Sequence, residues 1–146
     1  MIGWLLDTNV IAALINPGGA PSVEAWAAGQ PENVMFLSVL TLGEYGKSIH
    51  NLNADHPERS RYIAARDALR GRFKGRILSV DDAVVRRWGA VSGTVKRLTG
   101  HAPPVIDTLL AATALENHLF LATRNIRDVN TAAAPSSFPD AIGFSA

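Results

Sequence analysis

A short apolar run stops at a polar triplet: residues 2–6 (Ile-Gly-Trp-Leu-Leu) lead straight into Asp7-Thr8-Asn9, and residues 10–15 resume apolar at helical spacing. The pattern reads as strand, polar turn, helix. It recurs along the chain. After the break at residues 16–21 (Asn-Pro-Gly-Gly-Ala-Pro), residues 22–28 can form a short helix and residues 34–38 a second strand. Ser38 or Thr41 can cap the next helix, whose apolar positions Leu42, Tyr45, Ile49 and Leu52 recur every three or four residues. A helix from Pro57 through Arg70, a third strand at 76–80, a helix from Asp81 or Asp82 to about Leu98, a helix at 106–117 and a fourth strand at 119–122 complete the series. Parallel strands need a crossover long enough to hold a helix. The fold class is therefore α/β, a three-layer arrangement with a central parallel sheet of four to five short strands flanked by helices. Ligands in such folds bind at the carboxyl ends of the strands.

At 146 residues the chain has the length of a single domain, 1–146, and its 47% hydrophobic and 18% charged residues are those of a globular protein. The absence of cysteine excludes disulfides, thiolate metal sites and a cysteine nucleophile, so any metal is held by oxygen or imidazole. No apolar stretch has the length of a membrane span, and the N-terminus lacks the pattern of a signal peptide. A cytoplasmic protein is expected. The four histidines, His50, His56, His101 and His118, lack paired metal spacing, and Trp4, Trp26 and Trp88 fall in apolar periodic stretches that suit a core.

The net charge is only +1, but its distribution is uneven. Arg59, Arg61, Arg66, Arg70, Arg72, Lys74 and Arg76 lie within 18 residues, against the single acid Asp67. The stretch is either a phosphate-contacting patch or a solvated helix face followed by a basic turn.

Four acids occupy informative positions. Asp7 stands at the carboxyl end of the first strand, and Asp128 follows the fourth strand closely enough to face the same cleft. Asp107 opens an otherwise apolar helix, where it either complements the helix dipole or presents a carboxylate to that cleft. Glu44 lies between core-type positions Leu42 and Tyr45, so it is either paired or coordinated at a buried face, or on the exposed stripe. Clustered carboxylates repel one another but suit a hard cation such as Mg²⁺ or Mn²⁺, which activates a bound water and neutralises charge on a phosphate.

Four segments together resemble PIN-domain ribonucleases, particularly the VapC and FitB-like toxins of type II toxin–antitoxin pairs. They are Leu5-Leu6-Asp7-Thr8-Asn9-Val10-Ile11, Thr41-Leu42-Gly43-Glu44-Tyr45, residues 106–114 around Asp107, and residues 121–128 from Leu121 to Asp128. The resemblance implies a metal-dependent endoribonuclease with Asp7, Glu44, Asp107 and Asp128 as catalytic and metal-binding acids. It also implies support from Thr8, Thr123 and Asn125, with Asn125 the other candidate for the fourth position, where many relatives carry an acid. Further implications are an Mg²⁺ or Mn²⁺ cofactor, an RNA substrate, a cognate VapB/FitA-like antitoxin whose C-terminal segment crosses the active-site groove, and a homodimer. Arg70 and Arg72 are the proposed RNA contacts within the basic stretch.

Two enzyme classes fit poorly. A haloacid-dehalogenase-type phosphatase needs an aspartate where Asn9 stands, and a dinucleotide site needs a glycine-rich turn after the first strand. The remaining alternative is a non-catalytic PIN module that binds RNA or a protein partner.

Overall fold

A computed structural model describes residues 3–16 and 20–124, together with the backbone of 141–143. β1 (Trp4–Leu6) leads into α1 (Thr8–Ile15) and α2 (Pro21–Ala28), then β2 (Met35–Ser38), α3 (Val39–Asn51) and α4 (Pro57–Arg72). β3 (Ile77–Leu78), α5 (Asp82–Thr99), α6 (Val105–Glu116), β4 (Phe120–Thr123) and β5 (Ala141–Gly143) follow. The five strands form one sheet in the order β3-β2-β1-β4-β5, and every neighbouring pair is parallel. The expected architecture is observed.

The order reverses direction beside β1, because the chain first builds outward through β2 and β3 and then returns to place β4 on the other side of β1. Two crossovers leaving in opposite directions open a crevice at the carboxyl ends of β1 and β4. Leu6 pairs with Ala122 there. Asp7 and Thr123 thus stand side by side at this switch point.

Alternation along β1 sends Leu5 and Leu6 to opposite faces of the sheet. Leu6 joins Val10, Ile11, Val23, Met35, Leu37, Leu42, Leu69 and Phe73 in the larger core cluster beneath α1 to α4. Leu5 packs with Leu110, Ala114, Leu119 and Leu121 under α6, and α5 covers α6 from outside. Trp4 and Trp26 meet edge to face at 5.2 Å at the margin of the larger cluster, consistent with a packing role for both. No helix among the described residues is long and apolar enough to cross a membrane.

The element boundaries depart from the sequence expectation in informative places. The triplet Asp7-Thr8-Asn9 is not a separate turn: α1 begins at Thr8, with Asp7 as its N-cap. Ser38, not Thr41, caps α3, its hydroxyl oxygen accepting from the Leu40 amide at 3.0 Å. β3 has only two residues, and Thr123 is the last residue of β4 rather than part of a following turn. α5 ends at Gly100, whose φ of 80° is the left-handed conformation that closes a helix without a Cβ penalty.

Phe73 is fully buried at the end of α4. Phe73→Ala should lower unfolding free energy by about 3–5 kcal/mol in urea titrations. Leu98→Ala, at a position 59% exposed, should change it by less than about 0.5 kcal/mol.

Candidate active site

Asp7 closes β1 and opens α1 with one residue. Its amide donates to Ala122 O at 2.9 Å, extending the β1–β4 ladder. Its carbonyl then accepts from the Val10 and Ile11 amides, both at 3.0 Å, which starts the helix. The carboxylate is held at both oxygens: Oδ1 accepts from the Thr8 amide at 2.7 Å, and Oδ2 accepts from the Thr123 hydroxyl at 2.7 Å. Asn9 adds a third tie, accepting from the Arg124 amide at 3.1 Å.

Asp7 is only 8% exposed. Burial raises its carboxyl pKa above the usual carboxylate range, since desolvation penalises the charged form. The bonds from Thr123 and Thr8 oppose that shift, and the charges of Asp107 and Glu44 add to it. Both acids therefore stand within electrostatic reach of Asp7.

Glu44 is half-buried in α3, which resolves its two sequence readings in favour of pairing. Its Oε1 accepts from the Thr8 hydroxyl at 2.8 Å, and Thr8 Oγ1 lies 3.0 Å from Thr41 Oγ1. Asp107 is half-buried in the first turn of α6, at the positive end of the helix dipole. That turn is anchored from α5: the Trp88 indole donates to Thr108 Oγ1 at 3.0 Å, and the Thr108 hydroxyl donates to Pro104 O at 2.7 Å.

Sequence reasoning gave Thr41 only a capping role and Trp88 only a core role. The available signal for Thr41 was its spacing from Glu44: residues three apart share a helix face. Nothing in sequence paired Trp88 with Thr108.

Asp128 and Asn125 lie outside the described residues. Among the described residues, no group of three or more His, Asp or Glu side chains could together hold an ion. The donor chemistry nonetheless suits a hard divalent cation such as Mg²⁺ or Mn²⁺, since Asp7, Glu44 and Asp107 offer only oxygen. Positive charge there would offset the burial penalty on an ionised Asp7 and the smaller repulsion from Asp107 and Glu44.

A groove of about 950 Å³ runs from Thr8 and Glu44 between α1, α3 and α4. Ala12, Ile15, Tyr45, Tyr62, Ala65 and Leu69 provide apolar walls, and Lys47, Arg61 and Arg72 stand among the polar lining residues. Tyr45 and Tyr62 meet edge to face at 6.4 Å.

The basic stretch divides on inspection. Arg76 is a structural strut, donating to the carbonyls of Glu32, Met35 and Arg72, each at 2.6 Å. Arg72 forms a two-pronged ion pair with Glu32 at 2.9 and 3.2 Å. Arg61 pairs with Glu58 at 2.6 Å. Arg70 is exposed on α4.

A parallel sheet reversing at β1, with a buried aspartate at the reversal and acids from α3 and α6 beside it, is the arrangement of a PIN-type domain. The PIN domain pattern matches residues 4–133, and the chain belongs to that family. It is 28% identical to Toxin FitB of Neisseria gonorrhoeae over 121 residues, covering 83% of this chain and 86% of that protein. A shorter match, 33% identical over 60 residues, relates it to Ribonuclease VapC14 of Mycobacterium tuberculosis, covering 41% of this chain and 58% of that protein. The crystal structure of FitAcB from Neisseria gonorrhoeae superimposes with a TM-score of 0.77 at 26% identity, covering 98% of this chain and 97% of that one.

A carboxyl group with a raised folded pKa stabilises the fold while protonated, and that contribution is lost as pH rises through the raised value. Ionised Asp7 is thus a liability at neutral pH without metal. Asp7→Asn, which keeps a capping oxygen, should melt above wild type at pH 7 in EDTA and converge with it at strongly acidic pH, read by scanning calorimetry. An ion held by these acids would reverse the order, since a ligand at a hundred times its Kd adds about 2.7 kcal/mol to the form that binds it.

Proposed function

We propose that this protein is a metal-dependent endoribonuclease and the toxin of a type II toxin–antitoxin pair. The observation that carries the reading is the buried Asp7 carboxylate at the β1/β4 crevice, fixed at both oxygens, with Glu44 and Asp107 close enough to raise its pKa. Relatives named as a toxin and a ribonuclease support it.

Asp7, Glu44, Asp107 and Asp128 are the proposed metal-binding and catalytic acids. A bound Mg²⁺ or Mn²⁺ supplies charge to a phosphodiester and makes a water a better nucleophile. Thr123 and the Thr8 amide hold Asp7 in one orientation, so the carboxylate needs little rearrangement as charge shifts during reaction. Thr8 fixes Glu44, and Asn125 is the proposed further support beside Asp128.

The partner is proposed to be a VapB/FitA-like antitoxin lying in the groove between α1, α3 and α4. The groove joins an apolar wall to Glu44 at one end, which suits an amphipathic segment that delivers a cation to that carboxylate. Solved neighbours include FitAB and VapBC assemblies. A homodimer and a cytoplasmic location complete the proposal.

A non-catalytic PIN module is the second reading, favoured by the lack of a preformed three-acid ion site among the described residues. Cleavage of a mixed single-stranded RNA with Mg²⁺ or Mn²⁺, against EDTA and Asp7→Asn, separates the two. Metal-dependent cutting absent from both controls is expected. Intact RNA together with no detectable Mn²⁺ binding would transfer the assignment to the binding module.

RNA contact is proposed for Arg70 and Arg72 in unequal measure. Arg70→Ala should weaken RNA binding and reduce the slope of log affinity against log salt by about one. Arg72→Ala also removes the Glu32 pair, so it should lower the melting temperature, whereas Arg70→Ala should not.

A further inference from the structure

Three helical threonines of this chain turn inward on their own helix. The hydroxyls of Thr99, Thr108 and Thr113 each donate to the carbonyl four residues earlier, at 2.8, 2.7 and 2.7 Å. Thr41 does otherwise. Fully buried in the first turn of α3, it directs its hydroxyl to Thr8, 33 positions away and on another helix.

Proton counting sets the direction of that bond. A hydroxyl carries one proton and a carboxylate carries none to donate. Thr8 uses its proton on Glu44 Oε1 at 2.8 Å, so at the 3.0 Å contact Thr41 must donate and Thr8 accept. The chain runs Thr41 to Thr8 to Glu44, and hydrogen bonds in series polarise and strengthen one another. Because Thr41 and Glu44 are one turn apart on one face of α3, the Thr8 hydroxyl is held between two points of a single rigid element.

We propose that Thr41 is a positioning residue: its buried hydroxyl turns the Thr8 proton onto Glu44 and thereby holds that carboxylate in place beside Asp7. The proposal deepens the nuclease reading and rests on it for its consequence in catalysis. Thr41 touches neither substrate nor ion and acts only through Thr8.

The test compares wild type with Thr41→Val, which keeps the shape and branching but loses the donor, Thr41→Ser, which keeps the donor, and Thr41→Ala as a second donor-free variant. The first readout is the Thr8 χ1 rotamer in metal-free protein, from three-bond NMR couplings. A single rotamer is expected in wild type and Thr41→Ser, and averaging in the other two. The second is Mn²⁺ affinity by calorimetry, expected to fall roughly tenfold in Thr41→Val and Thr41→Ala and to be restored in Thr41→Ser, the scale of an outer-shell ligand support. The third is RNA cleavage, expected to lose kcat by a similar factor at unchanged KM.

A Thr8 rotamer that stays fixed in Thr41→Val overturns the proposal. So does release of Thr8 with Mn²⁺ affinity unchanged in a protein that binds Mn²⁺, or a Thr41→Ser variant as impaired as Thr41→Val. If wild type neither cuts RNA nor binds Mn²⁺ while Thr8 is released as expected, the nuclease reading fails and the placement of Thr8 and Glu44 by Thr41 stands.

Discussion

The Thr123–Asp7 hydrogen bond, 2.7 Å long and buried, joins the ends of two strands that lie 116 residues apart in sequence. It exists because the chain reverses direction across β1, which brings the last residue of β4 alongside the residue that follows β1. Asp7 cannot relax away from this contact, since its amide closes the ladder to Ala122 and its carbonyl nucleates α1. Backbone geometry thus fixes a side chain that water would otherwise solvate. The cost is visible in the raised pKa, a charge kept from solvent beside two other acids.

Three helices bring the two neighbouring acids to that point. α3 offers Glu44 and secures it through Thr8, α6 offers Asp107 from its first turn, and α5 steadies that turn through Trp88. The attachment of Glu44 uses a hydroxyl, and that of the α6 turn an indole. The neutral donors on Glu44 and Asp7 leave the negative charge of these two carboxylates intact, which is what a site proposed to collect a divalent cation needs.

The basic segment serves a different purpose at each end. Arg76 is consumed by three carbonyls and Arg72 by Glu32, so the carboxyl end of α4 is pinned to the chain entering β2. Arg70 projects outward. A run of like charge that looks uniform in sequence therefore separates into struts and solvent-facing groups once acceptors are present. The struts flank the same α4 that forms one wall of the groove, so they hold its shape beside the proposed reaction site.

Local pattern determined a good part of this protein. Apolar runs, breaks and helical spacing are properties of neighbouring residues, so the α/β class, the parallel sheet and the position of Asp7 at a strand end were legible from the chain alone. Helix starts were legible less well. Whether Ser38 or Thr41 caps α3, and whether Asp7-Thr8-Asn9 is turn or helix, depends on which hydroxyl or carboxylate finds a partner elsewhere in the fold. Periodicity also left Glu44 between a buried and an exposed stripe, because the deciding contact is a threonine 36 residues away. Only the tertiary structure could decide it: a hydrogen bond requires two groups to meet within about 3 Å. Sequence spacing gives that proximity along one helix face, but not between α1 and α3 or across the ends of β1 and β4.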